Sequence, residues 1–291
     1  MDIKKIMKQI YNLPPRVIVG RLRYKLTGRI GKNFSVEDII QSTKDMRPQR
    51  VADFLSRYER IIQKENPSWK LDFTGKNVLE LGSGPLLGLA PFAIFMGCRQ
   101  YVCLEPMYNP QVLEHPKVKR YFLLIYKDLA ALYGKRMGFE DFYQGLLKKV
   151  SVYSQPLETF SKEYKFDIIL SNSCLEHIQN LQEGLRNLKR ISAPQATFLH
   201  VVDFGNHSDT LNPFHKLYKT TPEQYFKQYG RLLNLLRPSD MMELFKANGL
   251  EAKLIPYYNF DEMYTESIHP WWKEKYLLQD LFLKTAFIIN K

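Results

Sequence analysis

Four of the six histidines of this 291-residue chain lie in one short stretch, between His177 and His215. The same stretch contains Asp203, four residues before His207. An imidazole that a carboxylate holds in place is a candidate general base, because unperturbed histidine exchanges a proton near neutral pH. We therefore predict that His207 is the catalytic base and that Asp203 orients it, with His177 as the alternative base.

These residue types could instead bind a metal ion, because imidazoles and carboxylates are common ligands of divalent ions. The spacing of His200, Asp203 and His207 is not diagnostic of a metal site. Alternation along an extended strand would also turn His200 away from the face that carries Asp203. We predict no metal ligand, and a His/Asp metal site stays open as an alternative.

A second candidate site lies in residues 77–105. A short apolar run ends at Gly82-Ser83-Gly84, where small residues let the backbone approach a ligand closely. A second apolar run ends on Glu105, 23 residues after Gly82, close to the roughly 20 residues at which such folds place a carboxylate on ribose hydroxyls. The pattern predicts a nucleoside-type ligand, with a helix at residues 86–96 that ends at Gly97.

Two residues separate this stretch from a dinucleotide-binding fingerprint. Leu87 occupies the place of the third glycine of that fingerprint. Glu80 precedes Gly82 by two residues, and a carboxylate there would repel a pyrophosphate but favour a cationic ligand. We therefore favour a cationic nucleoside, and we keep a dinucleotide-dependent oxidoreductase as an alternative.

The run Glu80-Leu81-Gly82-Ser83-Gly84, with Glu105 downstream, resembles motif I and the second-strand acid of class I S-adenosylmethionine-dependent methyltransferases. The segment FDIILSNSCLEHI, residues 166–178, is similar to the fourth strand and following Leu-Glu-His of many small-molecule methyltransferases. Position 86 is often glycine in that family and is leucine here. The resemblance implies S-adenosyl-L-methionine as cofactor, with its methionine part against Gly82 and Gly84 and its ribose on Glu105.

In the resembling family the loop after the third strand covers the adenine, commonly with an acidic side chain, and Gln155 and Glu158 are the candidates here. The predicted cofactor-binding residues are Glu80, Gly82, Ser83, Gly84, Glu105, Pro106, Leu157, Glu158, Ser171 and Asn172.

Two later segments resemble methyltransferases that are encoded with surface-polysaccharide genes. They are VVDFGNHSD, residues 201–209, and YGRLLNLLRPSDMMELFKANGLEAKL, residues 229–254, in which Leu235 replaces an arginine of the pattern. The resemblance implies O-methylation of a sugar or other anionic small molecule, nucleotide- or lipid-linked. A protein that binds S-adenosylmethionine as a scaffold without turnover is the other alternative.

The resemblance also implies the fold. We expect a Rossmann-like α/β fold with a seven-stranded, mostly parallel sheet, helices on both faces, and a last strand inserted antiparallel next to the fifth. Beyond the first two strands, the apolar runs predict strands at residues 150–153, 166–170, 196–202, 250–256 and 282–289. A helix is predicted at residues 181–191, between the fourth and fifth strands.

The chain divides into a basic N-terminal part and a larger domain. We predict a basic amphipathic helical arm or cap at residues 1–68 and a methyltransferase domain at residues 69–291, with a helical insertion at residues 111–149. We expect this insertion to be broken at Gly134 and Gly138 and its aromatic residues to pack in the core. Residues 1–33 contain nine basic residues and one acid, and so carry +8 of the net charge of +12. Such an arm either binds an anionic membrane surface or packs on the domain with its charges in solvent.

Partners and location follow from what the sequence contains. The basic residues are not interleaved with an RNA-binding signature, and no Asn/Asp-Pro-Pro-aromatic motif follows the fourth strand, so we expect no nucleic-acid partner. The three cysteines have no metal-ligand spacing and fall in or beside apolar segments, as is typical of reduced thiols in a cytoplasmic protein. With no signal-peptide pattern or apolar run of roughly 18 residues, we expect a cytoplasmic protein, peripheral at the inner membrane face if the arm binds lipid. The sequence predicts no oligomeric state.

Overall fold

The computed structural model describes residues 35–42, 46–207, 212–260 and 266–290. The basic segment at residues 1–33, for which a membrane contact is predicted, lies outside these ranges.

Seven strands form one sheet with the order β3-β2-β1-β4-β5-β7-β6. The strands are β1 (Asn77–Leu81), β2 (Gln100–Leu104), β3 (Val150–Tyr153), β4 (Phe166–Asn172), β5 (Ser192–Asp203), β6 (Lys253–Asn259) and β7 (Leu283–Ile289). The first five strands pair in parallel, and β7 lies antiparallel between β5 and β6. This confirms the predicted sheet and the position of its last strand.

The helices of the described residues cover both faces of the sheet. They are α1 (Val36–Gln41), α2 (Gln49–Glu65), α3 (Ala90–Phe95), α4 (Pro116–Tyr133), α5 (Phe139–Lys149), α6 (Leu181–Ile191), α7 (Pro222–Tyr229), α8 (Pro238–Ala247), α9 (Pro270–Lys275) and α10 (Leu278–Phe282), with short 3-10 helices at Pro110–Glu114, Leu157–Thr159 and Leu175–His177. None of them is long and apolar enough to cross a membrane.

The helix predicted at residues 86–96 is shorter in the structure. A series of turns follows β1, and α3 begins only at Ala90. Leu87 and Gly88 have φ angles of 63° and 50°. Left-handed backbone cannot continue into a right-handed helix, so α3 starts after it. Gly97, with φ 88°, ends this segment as predicted.

Three strands also differ from the predicted ranges. β4 extends to Asn172 and β5 begins at Ser192, while β6 occupies Lys253–Asn259 instead of residues 250–256. The apolar pattern located side chains that face the core, whereas a strand continues for as long as its backbone finds a partner. The polar residues Ser171 and Asn172 pair with His200 and Val201 and therefore belong to β4.

Two hydrophobic clusters fill the faces of the sheet. α2, α3, α4 and α5 bury one cluster, which includes Tyr58, Phe95 and Phe122. α6 and α8 bury the other, which includes Leu185 and Phe245. The aromatic residues of the predicted insertion at residues 111–149 are mostly core, as expected, and the two long helices there are separated at Gly134 and Gly138, as predicted.

A third cluster lies beyond the end of β5 and is rich in aromatic residues. Phe214, Tyr218, Trp272 and Phe282 are among its buried members. Arg237 is 2% exposed within it and stacks near the rings of Tyr218, Trp272 and Phe204. This cluster packs the segment after β5 onto the segment between β6 and β7, close to the carboxyl ends of the central strands.

Candidate functional site

The glycine turn after β1 adopts a conformation that favours glycine. Gly82 and Gly84 both have φ 68°, a region that L-residues with a side chain rarely adopt. A Cβ atom on Gly82 would lie 2.9 Å from Cys174 Sγ, whereas one on Gly84 would meet no atom within 4 Å. Gly82 is therefore needed for packing against the loop after β4, and Gly84 borders open space.

Glu105 holds this turn from the end of β2. Its Oε2 atom accepts a 2.8 Å hydrogen bond from the Gly84 N–H, and Oε1 accepts one of 3.1 Å from the Met107 N–H. A carboxylate has about four lone-pair sites, so these two bonds leave capacity for ribose hydroxyls. The structure thus brings Glu105 to the turn, while the adjacent Pro106 is exposed.

Glu80 lies below the turn and is 3% exposed. Its Oε2 atom accepts hydrogen bonds from the Tyr101 hydroxyl at 2.8 Å and from the Leu89 N–H at 3.0 Å. Burial raises the pKa of Glu80 to about 7, because desolvation outweighs the two hydrogen bonds that favour the carboxylate. A cation bound nearby would favour the ionised form.

A cleft of about 210 Å³ opens over the turn. It is lined by Val51, Phe54, Glu80, Gly82, Ser83, Gly84, Pro85, Leu86, Gly88, Leu89, Tyr121 and Asn172. The α2 residues Val51 and Phe54 belong to the predicted arm or cap at residues 1–68 and were not among the predicted site residues. The apolar pattern of a helix predicts a buried face but not which surface buries it.

The remaining predicted cofactor residues lie elsewhere. Ser171 is buried, with its Oγ 2.8 Å from His200 Nδ1. Leu157 is 3% exposed in the core, and Glu158 lines a separate surface groove with Arg186 and Arg190. The structure brings Glu80, Gly82, Ser83, Gly84 and Asn172 to one cleft. Ser171 lines a small adjoining cavity that shares Phe54, Leu89 and Asn172 with the cleft. Pro106, Leu157 and Glu158 line neither.

A second group of polar residues lies where β4 and β5 end. His207 Nε2 is 3.4 Å from Glu176 Oε1 and 3.9 Å from Asp203 Oδ1. Burial by itself lowers the pKa of His207, but the two carboxylates outweigh it and raise the pKa above its ordinary value. The surroundings of this imidazole therefore favour positive charge.

Of these two carboxylates, Glu176 lies nearer to His207 than Asp203 does. Asp203 is engaged by Lys284, whose Nζ lies 2.7 Å from Oδ2, and by the Gly205 N–H at 2.8 Å from Oδ1. Glu176 is buried, its Oε1 accepts from the Asp203 N–H at 3.3 Å, and its Oε2 has no hydrogen-bond partner within the described ranges. The predicted orienting role of Asp203 was assigned from sequence proximity. Glu176 was not among the predicted site residues, although the Leu-Glu-His run could have drawn attention to it.

His177 faces His207 across the cluster, with ring centroids 5.0 Å apart. Its Nδ1 lies 2.9 Å from the Leu232 carbonyl oxygen. A carbonyl only accepts, so Nδ1 carries the hydrogen and Nε2 keeps its lone pair. The side chain of Asn234 donates to the carbonyls of Leu175 and Ile178 and fixes the turn that carries His177.

The other two histidines of the cluster predicted from sequence lie apart. His200 is fully buried on the opposite face of β5, as strand alternation predicts, and burial lowers its pKa to about 3. His215 pairs with Glu266. Neither belongs to the group formed by His177, His207 and Glu176.

The sheet order and the two sites define a class of protein. The order of strands reverses between β1 and β4, and open α/β sheets bind ligands at the carboxyl ends of the strands on either side of such a point. The glycine turn, the acids at the ends of β1 and β2, and the absence of a third glycine fit a cationic nucleoside.

Residues 46–254 match the family model described as a methyltransferase domain, and the chain belongs to this family. The family assignment confirms the predicted methyltransferase class and S-adenosylmethionine as cofactor, and it sets aside the oxidoreductase alternative. The small turn, the two acids and the adjoining cleft fit that cofactor chemically. No curated protein matched the chain.

Solved structures with a similar fold include a S-adenosylmethionine-dependent methyltransferase from Mesorhizobium loti, with 10% identity, a TM-score of 0.44, and coverage of 76% of this chain and 94% of that one. The YcgJ protein of Bacillus subtilis has 14% identity and a TM-score of 0.42, with coverage of 69% of this chain and 73% of that one. Phosphoethanolamine N-methyltransferase 2 of Haemonchus contortus has 13% identity and a TM-score of 0.45, with coverage of 88% of this chain and 60% of that one.

Proposed function

We propose that this methyltransferase transfers a methyl group to a hydroxyl of a sugar or other anionic small molecule, nucleotide- or lipid-linked. The observation that carries the proposal is the group formed by His177, His207 and Glu176 at the ends of β4 and β5. Two members of this group, Glu176 and His177, come shortly after Asn172 and Cys174 in the chain. Asn172 lines the cleft, and Cys174 lies beside the glycine turn. An acceptor placed between the two sites would be close to both.

A hydroxyl acceptor requires removal of a proton, and a positioned imidazole typically contributes about 10²- to 10⁴-fold to such a step. When bound, S-adenosylmethionine supplies a methyl group whose bond to sulfur breaks, with its electron pair retained by sulfur. The chain aligns the hydroxyl in line with that bond and accepts its proton at the histidine cluster. His207 is the predicted base. Glu176 is the nearer orienting carboxylate, and Asp203 is the more distant one.

The anionic character of the acceptor is supported by an arginine that adjoins, along the chain, the residue whose carbonyl contacts this cluster. Arg231 is exposed and precedes Leu232, whose carbonyl orients His177. Its guanidinium lies 5.1 Å from the centre of the Phe226 ring. An arginine held in this way can bind a phosphate or carboxylate with little loss of conformational freedom.

Calorimetric titration with S-adenosylmethionine, followed by a screen for S-adenosylhomocysteine formation, tests the proposal. The acceptor panel should contain nucleotide sugars, lipid-linked saccharides, neutral sugars, amines and a short RNA. We expect turnover with a phosphorylated or lipid-linked sugar. The double variant with His177→Gln and His207→Gln should lose this turnover and keep its cofactor affinity. Binding without turnover on any acceptor would favour the scaffold alternative, and turnover on amines alone would contradict O-methylation.

We also propose a cytoplasmic location at the inner face of the membrane, which rests on the nine basic residues of residues 1–33 and on three free cysteines. The full chain should float with vesicles that contain anionic lipid, whereas a variant lacking residues 1–33 should not. Equal flotation of both would contradict the membrane contact. Neutral vesicles are the matched control, because electrostatic binding requires anionic lipid.

A further inference from the structure

We propose that Glu176, His177 and His207 form a binding site for one divalent first-row transition-metal ion. One ligand atom from each side chain lies within 4.8 Å of the other two. Ligands of one such ion, each about 2.0–2.2 Å from it, lie roughly 3–4 Å apart. His207 Nε2 and Glu176 Oε1, at 3.4 Å, already have this separation. The third ligand atom, from His177, lies within 4.8 Å of the other two.

The ligand atoms are available for coordination. His177 Nδ1 donates its hydrogen to the Leu232 carbonyl, so the Nε2 lone pair can bind a metal ion. Histidines that bind metals usually donate their other ring N–H to a carbonyl or carboxylate in this manner. Asn234 further fixes the turn, since its backbone N–H donates to the Glu176 carbonyl at 2.8 Å.

The Glu176 carboxylate supplies an independent reason to expect a cation. Its side chain is 4% exposed, and its Oε2 atom is buried with no hydrogen-bond partner among the described residues. A buried oxygen without a partner has lost its hydrogen bonds to water without compensation, and this loss is larger when the group is charged. A bound cation would satisfy it, whereas Asp203 is already paired with Lys284 and is left out of the ligand set.

Two imidazole nitrogens and one carboxylate oxygen favour a transition-metal ion over Mg²⁺ or Ca²⁺, which prefer oxygen ligands. Three protein ligands leave coordination positions open for a substrate oxygen. Mn²⁺ is a suitable probe, because it accepts mixed nitrogen and oxygen ligands and is detected directly by electron paramagnetic resonance. Binding of the ion itself does not depend on the reaction.

The role of the ion, unlike its binding, rests on the proposed function. An acceptor hydroxyl bound to the ion would lose its proton to solvent more readily, because the cation stabilises the alkoxide. The alkoxide oxygen would then bond to the methyl carbon of S-adenosylmethionine, and the carbon–sulfur bond would break with its electron pair left on sulfur, which neutralises the sulfonium. His207 would act in this reaction as a ligand, in place of the predicted base.

The experiment uses the full chain without an affinity tag, treated with chelator and dialysed, and titrated with Mn²⁺ by electron paramagnetic resonance. We expect one ion per chain. His177→Gln, His207→Gln and Glu176→Gln should each raise the Kd by more than 10-fold, since loss of an outer partner of a ligand already costs about 10- to 100-fold. The matched control is His215→Gln, a histidine beside Glu266 outside the cluster, which should keep the wild-type Kd.

Thermal unfolding provides a second readout that also shows whether each variant folds. Mn²⁺ should raise the Tm of the wild type and of His215→Gln and leave that of His207→Gln unchanged. Absence of binding of both Mn²⁺ and Zn²⁺ by folded wild-type protein, or a wild-type Kd in all three ligand variants, would overturn the proposal.

Cofactor affinity and turnover, measured on the same samples with and without Mn²⁺, separate the two proposals. Turnover that is unchanged after chelation would overturn the role of the ion and leave O-methylation in place. Site-specific Mn²⁺ binding without turnover on any acceptor would support the metal site and contradict the proposed function.

Discussion

The hydroxyl of Tyr101 donates a 2.8 Å hydrogen bond to Glu80 Oε2 beneath the glycine turn. The two residues lie on the adjacent strands β1 and β2, and both are buried. The same carboxylate receives the Leu89 N–H, and a Cβ atom on Gly88 would lie 2.2 Å from it. Glu80 therefore fixes the turns between β1 and α3, and its carboxyl group lies below the cofactor cleft.

Glu80→Gln is expected to change the pH dependence of stability in the absence of cofactor. The pKa of Glu80 rises from 4.5 in the unfolded chain to about 7 in the folded protein, so its contribution is fully present below pH 4.5 and is lost as the pH rises through 7. At 1.36 kcal/mol per pKa unit, the wild type loses about 3 kcal/mol that the glutamine variant keeps. Urea unfolding at pH 5, 6, 7 and 8 should show the free-energy difference growing in favour of the variant. A constant difference across these pH values would show that Glu80 is ionised throughout.

Cofactor binding near pH 6 is expected to release a proton from Glu80. The positive charge of S-adenosylmethionine favours the carboxylate, so the pKa of Glu80 should fall when the cofactor binds. Calorimetric titrations in two buffers of different ionisation enthalpy measure the number of protons released. Glu80→Gln should abolish the difference between the buffers. If it persists in that variant, the proton comes from another group.

Gly84→Ala is expected to weaken cofactor binding without lowering stability more than Gly75→Ala does. Gly75 is a matched control, because both glycines have φ 68° and a Cβ atom on either would meet nothing within 4 Å. The conformational cost of alanine, roughly 1 kcal/mol or more, should be the same at both positions. Only the Gly84 methyl group would project beside the cleft. Calorimetry and thermal unfolding of both variants check this, and equal cofactor affinity would place the cofactor away from the turn.

Phe54→Ala is expected to lower cofactor affinity by about 10-fold, because Phe54 forms part of the cleft wall contributed by α2. Phe139→Ala is the control, since Phe139 is also a partly buried helical phenylalanine but does not line the cleft. Both variants should lose some stability. Equal cofactor affinity in the two would show that α2 packs on the domain without forming the site.

Arg237→Lys is expected to destabilise the aromatic cluster by about 1–3 kcal/mol. The guanidinium donates to the carbonyls of Leu235 and Phe204 and to the Tyr218 hydroxyl, and a lysine cannot reproduce this fork. Arg231→Lys, at an exposed arginine near a phenylalanine ring, is the control and should change the unfolding free energy by less than about 0.5 kcal/mol. Urea unfolding followed by tryptophan fluorescence measures both. A loss of similar size in the two variants would contradict the structural role of Arg237.

Much of the fold was predictable because apolar runs and turn residues are local signals. β3 and α6 were predicted to the residue, and β7 and the breaks at Gly134 and Gly138 were predicted within one residue. Strand ends were less predictable, since they depend on backbone pairing with a distant strand. The helix start at Ala90 was missed because the left-handed conformation of Leu87 depends on Glu80 and on the packing of the turns.

The sequence by itself determined the glycine turn, the acids Glu80 and Glu105, the sheet and the methyltransferase class, because each depends on residue type and spacing along the chain. Only the tertiary structure decided which groups meet. It placed Glu176 closer to His207 than Asp203, engaged Asp203 with Lys284, and brought α2 to the cleft. Such contacts join segments far apart in the chain, and their geometry depends on how the strands and helices pack.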